Sequence, residues 1–273
     1  MTTRRCLLAC LALPAFARKR SLRVGVTDWN LRLAGRIEAV ALAAKLGFDG
    51  VEVSLGRRVT ENRLPLDDAG LQQQYQDAFR HHGIAIAGTC LDVLHVNYLK
   101  SDPLALRWIE DGIRTSRALG AKVMLLPFFG KGALQTEQEM DRVGDALREL
   151  APQAEKAGVL LGLENTLSAR DNVRVLDRAR SKAVRVYYDV GNSTFNGHDP
   201  QKEIPWLGKD RICQFHLKDK GYLGEGAIDF PAILERIAGI GFEGFANLET
   251  NAPSGSIESD MARNLAFIRR LAG

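Results

Sequence analysis

Short apolar runs alternate with amphipathic stretches along most of the chain. Runs rich in Val, Ile and Leu are typical of buried strands, and eight of them predict strands at residues 22–26, 50–54, 84–87, 122–126, 159–163, 184–188, 212–215 and 244–248. Stretches with helical spacing lie between the runs, and the clearest of them predict helices at 37–46, 71–82, 104–119, 139–157, 230–240 and 257–271. Such alternation of strand and helix is typical of α/β proteins with a parallel sheet.

Glycine directly follows several predicted helices, which is the usual left-handed stop of a helix. These glycines are Gly47, Gly83, Gly120, Gly158 and Gly241. Segments 46–53 and 240–246 are near copies (LGFDGVEV and IGFEGFA), and each joins a helix to the next strand, which indicates a repeated unit. Eight alternations without a Gly/Ser-rich or Pro-rich linker predict a single (β/α)8 TIM barrel over residues 22–273.

The amino terminus has the three parts of a secretory signal peptide. Arg4 and Arg5 precede the apolar stretch 6–16, and Ala17 completes a small-residue cleavage site. We therefore expect residues 1–17 to be a signal peptide and the protein to be exported, with a periplasmic location. The paired arginines indicate the twin-arginine route.

Two other interpretations of this leader stay open. The chain could be cytoplasmic, with its apolar amino terminus closing the floor of the barrel, or Cys10 could be a lipoprotein processing site. Elsewhere the chain has no run of 18 apolar residues, so no membrane span is expected in the mature chain.

Composition and charge are ordinary for a globular protein, with 45% apolar and 26% charged residues among 273. The formal net charge is +4, and removal of the two leader arginines leaves 35 basic and 33 acidic residues, a net charge of +2. A weak positive charge without a basic stripe argues against a nucleic-acid partner. Cys90 and Cys213 fall on the third and seventh predicted strands, across the barrel from each other, and are expected to be buried thiols.

Four ionisable residues stand at the ends of successive apolar runs: Glu164, Asp189, His216 and Glu249. Each gap between them is about the length of one strand–helix–strand unit. Any one alone would be assigned as a helix cap or a surface charge. Together, at the carboxyl ends of four neighbouring strands, they are expected to converge at the top face of the barrel. Three carboxylates and an imidazole suit a divalent cation such as Mn²⁺ or Mg²⁺.

Several motifs surround these residues in barrel order: GLEN at 162–165, YDVGN at 188–192, FHLKD at 215–219, GEG at 224–226 and LE at 248–249. On these motifs the chain resembles the xylose isomerase-like TIM barrels, specifically the sugar phosphate isomerase/epimerase group, over the whole body after the leader. The resemblance implies that Glu164, Asp189, His216 and Glu249 bind one divalent metal, most often manganese, with Mg²⁺, Co²⁺ or Zn²⁺ as alternatives. It also implies that Glu164 and Glu249 are the acid/base pair.

The chemistry of such a site agrees with this assignment. Removing a proton beside a ketone carbonyl produces an enediolate, whose charge a cation can stabilise. A base on one face with an acid on the other inverts a carbon, whereas a single base that returns the proton to the adjacent carbon isomerises. We therefore predict a metal-dependent isomerase or epimerase of carbohydrate metabolism, acting on a ketose or related sugar. An exported enzyme would meet a free or oxidised sugar rather than a phosphorylated one.

Further residues are candidate substrate contacts, each with a plainer alternative. Lys218 and Asp219 follow the metal histidine, but could be a solvated loop pair. Asn192 stands where sugar epimerases usually carry a histidine, and could instead cap the following turn. Trp29 could wall the site or simply pack, and His95 could line the pocket or be structural.

Three other functions remain as alternatives. A lyase or dehydratase acting on a keto-sugar or inosose-type substrate would need the same cation and bases. A non-catalytic sugar-binding barrel could keep the metal. An apurinic-site endonuclease shares the barrel but holds three metals with many histidines, whereas this chain has five histidines in all. The expected partner is a small-molecule sugar, and self-association is left open.

Overall fold

Eight parallel strands close into a barrel in the computed structural model, which describes residues 22–272. The strands are β1 (Arg23–Thr27), β2 (Gly50–Ser54), β3 (Ala85–Cys90), β4 (Val123–Pro127), β5 (Leu160–Glu164), β6 (Val184–Asp189), β7 (Ile212–Leu217) and β8 (Phe245–Leu248). Each strand pairs in parallel with its neighbours in the sequence, and β1 pairs with β8. The predicted (β/α)8 TIM barrel is therefore confirmed. The predicted signal peptide, residues 1–17, lies outside the described residues.

Nine helices cover the barrel within the described part of the chain. They are α1 (Glu38–Leu46), α2 (Ala69–His82), α3 (Leu104–Leu119), α4 (Glu137–Ala157), α5 (Ala169–Ala179), α6 (Val190–Phe195), α7 (Pro200–Leu207), α8 (Phe230–Gly239) and α9 (Ile257–Ala272). Among residues 22–272 none of these helices is long and apolar enough to cross a membrane.

The prediction assigned no helix between the fifth and seventh strands, where α5, α6 and α7 lie. No glycine marks the end of α5, because Arg180 takes the left-handed conformation there with φ 54°. Helix α6 begins immediately after β6 and has only six residues, too few to show a helical period. The third strand was predicted too short, because its last residues, Gly88 to Cys90, lack the apolar run.

The centre of the barrel holds polar side chains where TIM barrels usually carry branched aliphatic ones. Glu52, Tyr187 and Asn247 are at most 1% exposed and form hydrogen bonds with one another across the barrel. Gly25 faces this group, and a Cβ at that position would collide with the amide of Asn247. The barrel therefore has room for a polar layer beneath its top face.

Cys90 and Cys213 lie in the same barrel interior, packed with Val123, Leu125 and Tyr187. Both thiols are free and buried, as predicted. Burial raises the pKa of each thiol, so both stay protonated at neutral pH.

Helix α4, which leads into β5, begins with a capping box. Thr136 Oγ1 accepts from the amide of Glu139, and the Glu139 carboxylate accepts from the amides of Thr136 and Gln135. The Lys100 ammonium lies 2.8 Å from the same carboxylate. The hydrogen bond from Lys100, followed by that from Gln135, lowers the pKa of Glu139 below its ordinary 4.5.

Glu139→Ala is expected to lower the free energy of unfolding by about 1 kcal/mol at pH 7. Because the pKa of Glu139 is lowered in the folded protein, this stability is present above the ordinary pKa and is lost as pH falls through the folded value. Urea unfolding at pH 7 and at an acidic pH below the folded pKa of Glu139 measures both effects, with the exposed neighbour Gln138→Ala as control. An equal loss at both pH values would contradict the prediction.

Candidate metal centre

The carboxyl ends of β5 to β8 bring four side chains to one point at the top of the barrel. Glu164 is the last residue of β5, Asp189 the last of β6, His216 the penultimate residue of β7, and Glu249 follows β8. Asp189 also caps α6, because its Oδ1 accepts from the amide of Asn192 at 2.7 Å. This bond fixes the carboxylate, whose Oδ2 lies 3.8 Å from Nδ1 of His216.

We call Glu164, Asp189, His216 and Glu249 the quartet. One ligand atom from each lies within 4.8 Å of the other three. His216 Nδ1 lies 2.9 Å from Glu164 Oε1 and 3.7 Å from Glu249 Oε2. The structure therefore brings together the four residues that the sequence singled out, which had lain on four separate segments.

The four side chains of the quartet differ in how far they are exposed to solvent. The side chains of His216 and Asp189 are fully buried, that of Glu164 is 4% exposed, and that of Glu249 is 19% exposed. Glu249 is therefore the member that most readily meets a molecule entering from the top face.

Lys218 supplies a positive charge at the edge of the quartet. Its ammonium lies 2.6 Å from Glu249 Oε2 and 2.8 Å from Asp189 Oδ2. The contact with Asp189 is an ion pair rather than a well-aligned hydrogen bond, since Oδ2 accepts no bond of normal geometry. Burial opposes the charge on Lys218, but Glu249 and Asp189 outweigh it and raise the pKa of the ammonium.

The crowding of like charges shifts the protonation of the quartet. Burial opposes the charge on His216, yet the carboxylates of Glu164, Glu249 and Glu52 raise its pKa well above the ordinary value. Burial raises the pKa of Asp189, and Glu164 and Glu249 add to this against the effect of Lys218. Burial also disfavours the charge on Glu249, but His216 and Lys218 lower the pKa of this carboxyl.

The chemistry of the quartet fits a divalent cation. Three carboxylates crowded around one ring nitrogen repel one another when ionised, and a cation among them removes that repulsion. The buried Asp189 Oδ2, which accepts no aligned hydrogen bond, is a ready ligand atom. Oxygen-rich sites with one imidazole suit Mn²⁺ or Mg²⁺ better than soft metals.

Behind His216 lies a carboxylate that the sequence analysis did not single out. Glu52 Oε2, on β2, is 2.8 Å from His216 Nε2, and both side chains are fully buried. Tyr187 and Asn247 donate to the same oxygen. The available signal was an acidic residue in the middle of the apolar strand GVEVS, at an inward position.

Besides Lys218, two of the five candidate substrate contacts touch the quartet. The indole of Trp29 donates to Glu249 Oε1 at 3.1 Å, and its ring meets His216 edge-on at 6.0 Å. The side-chain amide of Asn192 donates to Glu164 Oε1 at 3.3 Å. Both side chains are half-buried.

The structure places the other two candidates differently. Asp219 is buried and accepts from the backbone amides of Lys220 and Gly226, so its carboxylate braces its own loop. His95 is half-buried and stacks on Phe129, with ring centroids 6.3 Å apart. Neither forms a hydrogen bond to the quartet within residues 22–272.

Comparison with known proteins finds a matching family and similar enzymes. The sequence model of the family described as "Xylose isomerase-like TIM barrel" matches residues 40–271. A 2-epi-5-epi-valiolone 7-phosphate 2-epimerase from Actinoplanes is 28% identical over 202 residues, covering 72% of each chain. An inosose dehydratase from Geobacillus thermodenitrificans is 25% identical, covering 83% of this chain and 87% of its own.

A solved structure shares the whole fold. A D-psicose 3-epimerase from Clostridium cellulolyticum, determined with D-tagatose, superposes with a TM-score of 0.77 at 18% identity. The match covers 92% of this chain and 99% of that one. At this identity the likeness concerns the fold.

Proposed function

Because the chain belongs to the xylose isomerase-like TIM barrel family, we propose that it is a divalent-metal-dependent sugar isomerase or epimerase. The convergence of the quartet within 4.8 Å at the top of the barrel carries the proposal. The epimerase among the relatives supports the reaction class. The substrate is a ketose or a related keto-sugar, and manganese is the proposed ion.

Each member of the quartet has a role in this proposal. Asp189 and His216, the most buried members, hold the ion, and Glu164 and Glu249 complete its ligands. When bound, the cation stabilises the negative charge that develops on the carbonyl and neighbouring hydroxyl oxygens of the sugar. The Trp29 indole and the Lys218 ammonium hold the two oxygens of Glu249 in place.

Glu249 is the proposed base. Its pKa is lowered by His216 and Lys218, so the carboxylate is ionised at neutral pH, and it is the most exposed member of the quartet. It removes the proton from the carbon beside the carbonyl. Glu164, on β5, then delivers a proton to the opposite face, which inverts that carbon. Return of the proton by Glu249 to the neighbouring carbon isomerises instead, with the proton of the adjacent hydroxyl passing to the former carbonyl oxygen.

A dehydratase is the second candidate, and the inosose dehydratase relative favours it. Elimination of water begins with the same proton removal beside a carbonyl. It then needs a donor that protonates the departing hydroxyl, and Glu164 could serve this step as well. The quartet alone therefore does not distinguish the two reactions. Identification of the products is needed to distinguish them.

Proton NMR of the Mn²⁺-loaded protein with free and phosphorylated ketoses and 3-keto-sugars, run in D₂O, tests the proposal. Proton spectra are read after the ion has been removed, because Mn²⁺ broadens them. We expect deuterium at the carbon beside the carbonyl with the sugar otherwise intact. Loss of water from the product indicates the dehydratase. Absence of deuterium uptake across the panel, from a protein that binds the ion, would refute proton transfer.

Residues 1–17 are proposed as a cleaved export signal, on the strength of their charged, apolar and small-residue order. Expression of the full chain followed by mass spectrometry of the exported fraction tests this. Cleavage after Ala17 leaves Arg18 as the first residue, whereas lipoprotein processing leaves a lipidated Cys10. An intact amino terminus confined to the cytoplasm argues for the cytoplasmic alternative.

A further inference from the structure

Beneath the quartet, a fully buried imidazole meets a fully buried carboxylate. His216 Nε2 lies 2.8 Å from Glu52 Oε2, and neither side chain reaches solvent. The two residues are 164 positions apart and come from β7 and β2, on different sides of the barrel. Neither the metal ligands nor the acid/base pair of the proposed function includes Glu52.

The partners of Glu52 define which way the hydrogen bond runs. The Tyr187 hydroxyl lies 2.8 Å from Glu52 Oε2, and the Asn247 amide donates to that oxygen at 3.2 Å. Asn247 also donates to the Tyr187 hydroxyl at 2.7 Å, which leaves the tyrosine proton for Glu52. Glu52 Oε2 accepts both of these bonds, and the geometry of its third contact fits Nε2 of His216 as the donor at 2.8 Å.

With the proton on Nε2, the other ring nitrogen is left to act as a ligand. Nδ1 is the atom that faces Glu164, Asp189 and Glu249. The ring is further held by Tyr187, whose centroid lies 4.5 Å away, and by the edge of Trp29. Carboxylates that accept from the second nitrogen of a ligating histidine fix its tautomer and raise its basicity.

We propose that Glu52 is a positioning residue, which holds His216 in the Nε2–H tautomer and aims Nδ1 at the cation. The inference rests on the proposed metal site but not on the reaction that the site performs. Gly25 supports the same arrangement. Only a residue without Cβ at this position leaves room for the Asn247 amide, which donates to Glu52.

Glu52→Gln and Glu52→Ala test the proposal through Mn²⁺ affinity, measured by calorimetry. Loss of such a partner typically costs about 10–100-fold in metal affinity. We expect a loss in this range for Glu52→Ala and a smaller one for Glu52→Gln, whose amide oxygen can still accept. Glu258→Gln is the control, since it makes the same change at an exposed carboxylate that pairs with Lys45 on the surface, away from the quartet. Its affinity should stay close to wild type.

The second measurement is the protonation state of the two ring nitrogens of His216. In ¹⁵N-histidine-labelled protein loaded with diamagnetic Zn²⁺, long-range proton–nitrogen spectra should show His216 protonated at Nε2 and metal-bound at Nδ1. Glu52→Gln should weaken or mix this signature, a change that a general loss of packing would not produce. If Glu52→Ala fails to fold, the isosteric Glu52→Gln decides.

The outcomes separate this inference from the proposed function. Wild-type ion affinity and an unchanged His216 signature in Glu52→Gln overturn the positioning role, whatever the enzyme catalyses. Ion binding that depends on Glu52, without deuterium exchange on any sugar, supports the positioning role and refutes the reaction. Absence of ion binding by the wild-type protein overturns both.

Discussion

Glu249→Gln is expected to reduce turnover about 1000-fold while the sugar still binds, because the amide cannot accept the proton from the substrate carbon. The change keeps the shape of the side chain, but the amide NH2 replaces one of the two oxygens that accept from Trp29 and Lys218, so one of these contacts is lost. Turnover is measured as deuterium exchange in D₂O, and sugar binding by calorimetry. A catalytic role predicts that the two measurements diverge.

Two controls make this result interpretable. Glu249 also contacts the cation site, so the variant is assayed at saturating Mn²⁺ and its ion affinity is measured separately. Glu258→Gln, at an exposed carboxylate that pairs with Lys45 on the surface, should keep wild-type turnover. Unchanged exchange in Glu249→Gln would favour the non-catalytic sugar-binding barrel.

Removal of divalent cations is expected to lower the melting temperature by about 10 °C. An ion present at 1000 times its dissociation constant stabilises the folded state by about 4 kcal/mol. For a domain of this size each kcal/mol corresponds to about 2–4 °C. The proposed source is the quartet, where buried carboxylates would face one another at a single point without a shared cation.

Asp189→Asn should abolish this ion-dependent shift, because it removes the charge of the buried Oδ2 that accepts no aligned hydrogen bond. Asp210→Asn is its control, since Asp210 is exposed just before β7, at the opposite end of the strand from the quartet. The measurement is thermal unfolding with chelator and with added Mn²⁺. A full shift retained in Asp189→Asn would exclude the quartet as the site of the stabilising ion.

Much of the architecture could be predicted because its signals are local. Buried parallel strands form short apolar runs, and helices that cover them end at glycines such as Gly47 and Gly158. The helices α5 and α6 were not predicted because they lack such local signals. The first ends at Arg180 rather than at glycine, and the second is too short to show a period.

The quartet could be predicted from the sequence because a barrel brings the ends of successive strands to one face. Every parallel strand ends at the same face, so residues such as Glu164 and Asp189 at corresponding strand ends must become neighbours once the barrel closes. Of the further candidates, Trp29 and Asn192 reach the quartet, whereas Asp219 turns to its own loop. Strand-end position does not encode side-chain direction within a loop.

Sequence alone determined the barrel and the four side chains at its mouth, since the strand and helix periods repeat along the chain and put these residues at corresponding strand ends. Only the tertiary structure showed which other side chains contact these four residues. The contact of Glu52 with His216 spans 164 residues, and the Lys218 ammonium bridges Asp189 and Glu249 from two other strands. Such contacts follow from the closure and stagger of the sheet, which place distant strands face to face and leave no local trace in the chain.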